Sequence, residues 1–143
     1  MCGIKCTFIE SPSKTMPLLY QPKAGTIVMC DFRGHERPEM VKTRPVVVLR
    51  RNSQNSSLVT VVPLSTTAPL RLESCHVEFD SLIPGSQIRC WAKCDMVYTV
   101  GCARLDRIKT RDRVTGRRDY VVLPLPADLF VAIQRGVKSA LGL

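Results

Sequence analysis

RPVVVLRR (44–51), NSQNSS (52–57) and LVTVVPL (58–64) run consecutively in the chain, and their reading decides the fold. Three successive valines and further β-branched residues favour strands over a helix. The Asn and Ser residues between them bend a chain by bonding their side chains to nearby backbone. The simplest account is a hairpin of two buried strands. Pro45 lacks an N–H and belongs among the first residues of its strand or on an edge, so Arg44 stands at the strand entrance.

Outward from this hairpin the β signal repeats. TIVMCDF (26–32) follows Gly25 and predicts a preceding strand. GHERPEMVKT (34–43) is polar, contains Pro38 and predicts a loop. Further strands are expected at Cys75–Phe79, Gln87–Trp91, Cys94–Val100 and Tyr120–Leu123, separated by loops holding Pro69, Pro84-Gly85 and Gly101. Short strands at this spacing close into a curled antiparallel barrel or sandwich, which removes exposed edges. Near the end the period changes. Leu129, Phe130, Ile133, Val137 and Leu141 recur at helical steps, so a C-terminal helix is expected to pack on the sheet.

With 143 residues the chain fits one domain, and 45% hydrophobic against 23% charged residues is the usage of a folded globular protein. Residues 23–143 are assigned to that domain and residues 1–22 to an N-terminal extension. Met16-Pro17-Leu18 reads as an equally good beginning, so the first 15 residues are expected to be an over-extended start. The opening has no apolar segment of the secretory kind, and no run approaches a membrane span, so a cytoplasmic location without membrane attachment is expected. Seven cysteines, an odd number, do not form an obvious disulfide framework and are read as reduced. Cys90-x3-Cys94 with Cys75-His76 can be drawn as a zinc site, yet the spacing fits no common structural-zinc pattern. Cys90 and Cys94 would also share a strand face. No metal or cofactor is expected.

The formal charge is +9, which attracts polyanions: RNA, DNA or an acidic protein. Between Arg104 and Arg118 seven basic residues face only Asp106 and Asp112, so this stretch carries +5 of the total. It reads either as a solvated loop or as a nucleic-acid contact, with Arg104 and Arg107 as its first candidates. Trp91, the single tryptophan, can stack on a base or fill the core.

Four segments in order, GTIVMCDF, KTRPVVVLR, VTVVPLST and KCDMVYTV followed by RLDRI, resemble the PemK/MazF toxins of type II toxin–antitoxin systems. They cover about Gly25 to Ile108. The resemblance implies an SH3-like β-barrel with a helix, a homodimer with an RNA groove across its interface, and an acidic, partly disordered cognate antitoxin. It further implies metal-independent cleavage of single-stranded RNA, in which the ribose 2'-hydroxyl attacks the neighbouring phosphodiester and leaves a cyclic phosphate and a 5'-hydroxyl.

Such chemistry needs a base, groups that hold the phosphorane charge, and an acid for the leaving oxygen. Arg44 matches the family's arginine before proline, suited to transition-state stabilisation or proton donation. Ser65 and Thr66 match hydroxyl positions that would bond the scissile phosphate. Outside the family they would be turn residues at a strand end. Lys93 and Asp95 match a basic-x-Asp element, and alternation along a strand would put both on one face. Asp95 is the candidate base; Lys93 is a phosphate contact, a tuning charge or the acid, a role shared as an alternative with Arg44. A plain structural Lys–Asp pair is the competing reading. His35, in Gly34-His35-Glu36, resembles a Gly-His-Glu of several relatives, although the stretch before the arginine is longer here. His76, in an expected strand, reads as structural. Two other functions fit the same fold: a gyrase-binding toxin without catalysis, and a non-catalytic SH3-like nucleic-acid-binding module.

Overall fold

The computed structural model describes residues 17–83 and 87–143. The expected over-extended start (1–15) and the Pro84-Gly85 loop lie outside the described residues. In chain order the elements are β1 (Thr26–Asp31), β2 (Thr43–Arg51), β3 (Leu58–Ser65), β4 (His76–Asp80), β5 (Arg89–Lys93) and β6 (Tyr98–Gly101). A 3-10 turn (Cys102–Arg104), β7 (Leu105–Asp106), β8 (Ile108–Arg111), β9 (Arg118–Val121), β10 (Leu123–Pro124) and α1 (Ala127–Leu141) follow.

All pairings between the described strands are antiparallel, and the main sheet runs β10-β1-β2-β3-β5-β4. The β2–β3 hairpin forms as its sequence predicts: the Asn52 side chain accepts from the N–H groups of Gln54 and Asn55, and Asn55 from that of Ser57. β6 pairs with β3 and β7 with β1, so the segment that joins them carries the chain from one side of β1-β2-β3 to the other and curls the sheet toward closure. The result is the expected mainly β, SH3-like curled antiparallel barrel with one C-terminal helix.

The three valines of β2 divide between two cores. Val46 and Val48 point into the barrel with Val28, Phe32, Val59, Val61 and Leu105. Val47 points the other way, toward Ile27, Val62, Leu64, Cys94 and Ile133 of α1. A strand buried on both faces needs a continuous apolar run, which explains a pattern that alternation alone would not produce. Pro45 is third in β2 and pairs with Met29.

Several expectations need correction. The strand expected over Cys94–Val100 begins only at Tyr98. The basic stretch after Arg104 is no plain loop, because it holds β7, β8 and the start of β9. Strand periodicity was hidden there by charge: Leu105, Ile108 and the partly buried Val121 mark the inner side. Leu141 is exposed rather than packed, since α1 ends beside it; Gly142, in the left-handed conformation at φ 71°, caps the helix with its N–H on Ser139. The boundary at Pro22 is not an edge in packing either. Leu18 is buried in the barrel core and its N–H bonds the Leu105 carbonyl, Pro22 is fully buried, and the Gln21 amide donates to the carbonyls of Asn52 and Leu58.

Candidate functional site

The candidate residues gather around one end of β3. The β2–β3 ladder reaches Val46 opposite Pro63. Arg44 stands two residues before the first and Ser65 two after the second, so both occupy the same end and, by alternation, the barrel side of their strands. Ser65 is paired with Trp91 of β5, and cross-strand partners share a face. Lys93, two residues further along β5 and opposite His76, lies on that face too. One sheet face therefore carries Arg44, Ser65, Trp91 and Lys93. Cys90 and Ala92, on the other face of β5, are buried.

Asp95 does not join them by strand alternation. β5 ends at Lys93, and Lys93 to Met96 form a turn closed by the Met96 N–H on the Lys93 carbonyl at 2.9 Å. The cause is a break in register. On one side β3 pairs Leu64 with Ala92, and on the other Val61 with Tyr98, so three residues on β3 correspond to six on the returning chain. The three extra residues bulge out. Asp95 is consequently exposed at the tip, and the same-face argument by strand alternation for Lys93 and Asp95 fails, whereas Cys94 is buried in the same core as Ala92 on the Cys90 side of β5. Among the described residues neither Lys93 nor Asp95 is in an ion pair.

The bulge is anchored from below. Cys94 is fully buried, and burial pushes its thiol up to about 12, with the nearby Cys75 and Asp95 charges adding to the shift. Helix α1 approaches so closely that a Cβ on Gly136 would come 2.8 Å from the Cys94 sulfur. Glycine is required by that approach. A protonated, packed thiol is a structural cysteine, not a reactive one. The zinc reading has no geometry behind it, since among the described residues no group of three or more His, Cys, Asp or Glu gathers; the His76 Nδ1 accepts from the Glu73 N–H.

Ser65 is buried and its Oγ accepts from the Thr67 N–H at 3.1 Å, so it shapes the turn while its own proton remains available to donate. Thr66 is exposed beside it. Arg44 is half-buried, and its Nε is buried with no hydrogen-bond partner. An unmet donor on a permanent cation favours an anionic acceptor. Arg44 also lines a shallow depression formed by Arg37 to Lys42.

His35 sits in a turn after β1, with its N–H on the Phe32 carbonyl. Its ring lies 5.7 Å from Phe32 and 5.6 Å from Tyr98, and its Nδ1 is buried without a partner. Tyr98 was not singled out from the sequence, yet its hydroxyl accepts from the Met40 N–H at 3.0 Å and ties the Gly34–Lys42 loop to β6. Only its place on the alternating face of MVYTV signalled it.

Arg104 and Arg107 separate. Arg104 spends Nη1 on the Asp31 and Arg33 carbonyls, 2.8 Å each, and so buttresses the end of β1. There Asp31 is held below the usual carboxylate range, chiefly by hydrogen bonding from the Arg33 side chain. Arg107 lies with its guanidinium 5.7 Å from the centre of the Tyr120 ring, its Nε without a partner. Both arginines line a groove of about 380 Å³ with Asp31, Thr43 and Lys109.

Comparison with known proteins bears on this arrangement. A protein of Escherichia coli K12, YifN, is 36% identical and covers 85% of this chain and 93% of its own length. A Haemophilus influenzae protein is 33% identical over 85% of this chain and 91% of its own. Among solved structures, MazF of Deinococcus radiodurans superposes with a TM-score of 0.59 at 21% identity, covering 87% of this chain and 99% of that one. A mycobacterial endoribonuclease in complex with its cognate antitoxin gives 0.57 at 22% identity, covering 85% and 96%. At such identities the likeness shows the fold. Residues 23–141, from before β1 to the end of α1, match the PemK-like, MazF-like toxins of type II toxin–antitoxin systems, and the chain belongs to that family.

Proposed function

We propose that this protein is the toxin of a type II pair and acts as a metal-independent endoribonuclease on single-stranded RNA. The observation that carries this reading is the face at the end of β3, where Arg44, with its buried and unpartnered Nε, shares a sheet face with Ser65 and Lys93 next to the Asp95 turn. Such a face suits a phosphodiester. Asp95 takes the proton of the ribose 2'-hydroxyl; O2' bonds to phosphorus; the bond from phosphorus to O5' breaks, and a cyclic phosphate and a 5'-hydroxyl result. Arg44 holds the charge that grows on the phosphoryl oxygens, with Ser65 and Thr66 as hydroxyl donors. Lys93 supplies the proton for O5', because an ammonium gives up a proton and a guanidinium does not. Trp91, opposite Ser65, stacks on an adjoining base, and His35 borders the Arg44 loop.

The protein would work as a cytoplasmic homodimer, held inactive by an acidic, partly disordered antitoxin whose charge complements the +9 of this chain. Among the described residues no helix is long and apolar enough to cross a membrane. The test is incubation of purified protein with a long single-stranded RNA in excess chelator, followed by analysis of the ends. Defined fragments with 5'-hydroxyls are expected. Intact RNA would overturn the reading, whether the protein binds the RNA or binds gyrase instead.

A further inference from the structure

The β8–β9 hairpin has two unlike faces. In its ladder Ile108 pairs with Val121, Lys109 with Tyr120, Thr110 with Asp119 and Arg111 with Arg118. Ile108 and Val121 turn inward to the core beneath α1. By alternation Lys109, Arg111, Arg118 and Tyr120 share the outer face, and Arg107 extends it by lying over the Tyr120 ring. Among the described residues of the two strands no carboxylate shares that face by alternation. Asp119 is on the other face and pairs with Arg117 at 3.4 Å, while the Asp112 side chain is engaged by the N–H groups of Val114 and Thr115 in the hairpin turn. Among the described residues Lys109, Arg111 and Arg118 have no ion pair.

Two arginines directly across a ladder repel each other, and a folded protein gains nothing from that arrangement by itself. The turn nevertheless holds them together: Asp112 and Arg117 are bonded backbone to backbone, and Gly116, at φ 72°, gives its N–H to the Asp112 carbonyl. An unneutralised row of cations around a half-exposed tyrosine fits a polyanion with flat bases. The row also borders a groove on the sheet face opposite that of Arg44. Arg107 and Lys109 line that groove with Arg104, Asp31, Asp106 and Thr43, and the apolar side chains of Met29, Leu105 and Ile108 form part of its wall.

We propose that the outer face of the β8–β9 hairpin is a track for the phosphate backbone of single-stranded RNA, with Lys109, Arg111 and Arg118 as phosphate contacts and Tyr120 as a stacking surface. This rests on the endoribonuclease reading for its substrate but not for its test. The probe is a 20-nucleotide 2'-O-methyl RNA, which lacks the hydroxyl that cleavage needs, with affinity measured across a salt series. Arg111→Gln/Arg118→Gln should weaken binding about tenfold at moderate salt and lower the salt slope by about 1.4, the value for two phosphate contacts on a single strand. Lys109→Gln alone should lower it by about 0.7. A folded variant with unchanged affinity and slope overturns the track. So does a variant that keeps its RNA affinity but loses binding to an acidic peptide, which would give the face to a protein partner. If the wild type binds the probe with the expected slope yet leaves natural RNA intact, the endoribonuclease reading falls and the track stands.

Discussion

A Cβ on Gly136 would meet the Cys94 sulfur at 2.8 Å and the Cys75 carbonyl at 3.2 Å, so α1 presses on the bulge that carries Lys93 and Asp95 at a point where the helix has no side chain. The exposed tip of the candidate site is thereby braced by the buried residue between its two charged ones. The site's position depends on helix packing as well as on strand pairing.

Gly136→Ala follows from that geometry. Helix propensity alone would favour alanine by about 1 kcal/mol. Overpacking costs about 1–3 kcal/mol, and here part of the obstacle is backbone that cannot rotate away. A net loss of up to about 2 kcal/mol in urea denaturation is expected, together with reduced RNA cleavage as the bulge shifts. Adding Cys94→Ala to Gly136→Ala should restore part of the stability, a coupling that independent sites would not show.

Arg44→Ala and Asp95→Asn should each abolish growth inhibition on expression while leaving the fold intact. Loss of a preorganised charge at the phosphoryl group costs about 10²–10³ in turnover, which RNA cleavage assays read directly. A fully toxic Asp95→Asn would remove Asp95 from the role of base.

Lys93→Arg separates charge from proton donation. If Lys93 only contacts phosphate, arginine should serve nearly as well. As the acid it is irreplaceable by a guanidinium, and a fall of about 10²–10⁴ in cleavage rate is expected. Binding of a non-cleavable RNA should change little in the same variant.

The barrel could be read from the chain because its signals are local. Turn chemistry in Asn52–Ser57 and the valines of β2 and β3 each specify their own neighbourhood, and all agree. Arg44, Ser65 and Lys93 became candidates through their match to the family's motifs, and the structure places them on one sheet face. The Lys93–Asp95 bulge was not legible, because it arises from register: β3 must pair with β5 and β6 together, and no property of KCDMVY announces the offset. Charge concealed β8 in the same sense. Its alternation of Ile108, Lys109, Thr110 and Arg111 is that of a half-buried strand, but seven basic residues made the stretch resemble a solvated loop.

Tyr98→Phe isolates one brace of the loop beside Arg44. The ring contacts with Phe32 and His35, at 5.0 and 5.6 Å, survive in phenylalanine, whereas the Met40 N–H loses its acceptor. A loss of about 0.5–1.5 kcal/mol is expected, with faster hydrogen exchange at the Met40 amide. Unchanged exchange there would show that the hydroxyl does not hold the loop.

Cys30 and Cys94 are both fully buried, and burial raises each thiol from an ordinary 9.0 to about 12. In the unfolded chain these thiols lose their protons near pH 9, while the native protein keeps them to about pH 12. Between those limits the unfolded state binds fewer protons, so stability must fall as pH rises. The contribution is complete below pH 9 and lost toward pH 12, with a slope of up to about 1.4 kcal/mol per pH unit for each thiol. Cys75, Cys90 and Cys102 shift in the same direction. Urea midpoints from pH 8 to 11 should therefore drop less steeply in Cys30→Ala and in Cys94→Ala than in the wild type. Parallel curves would mean that neither thiol is held protonated by the core.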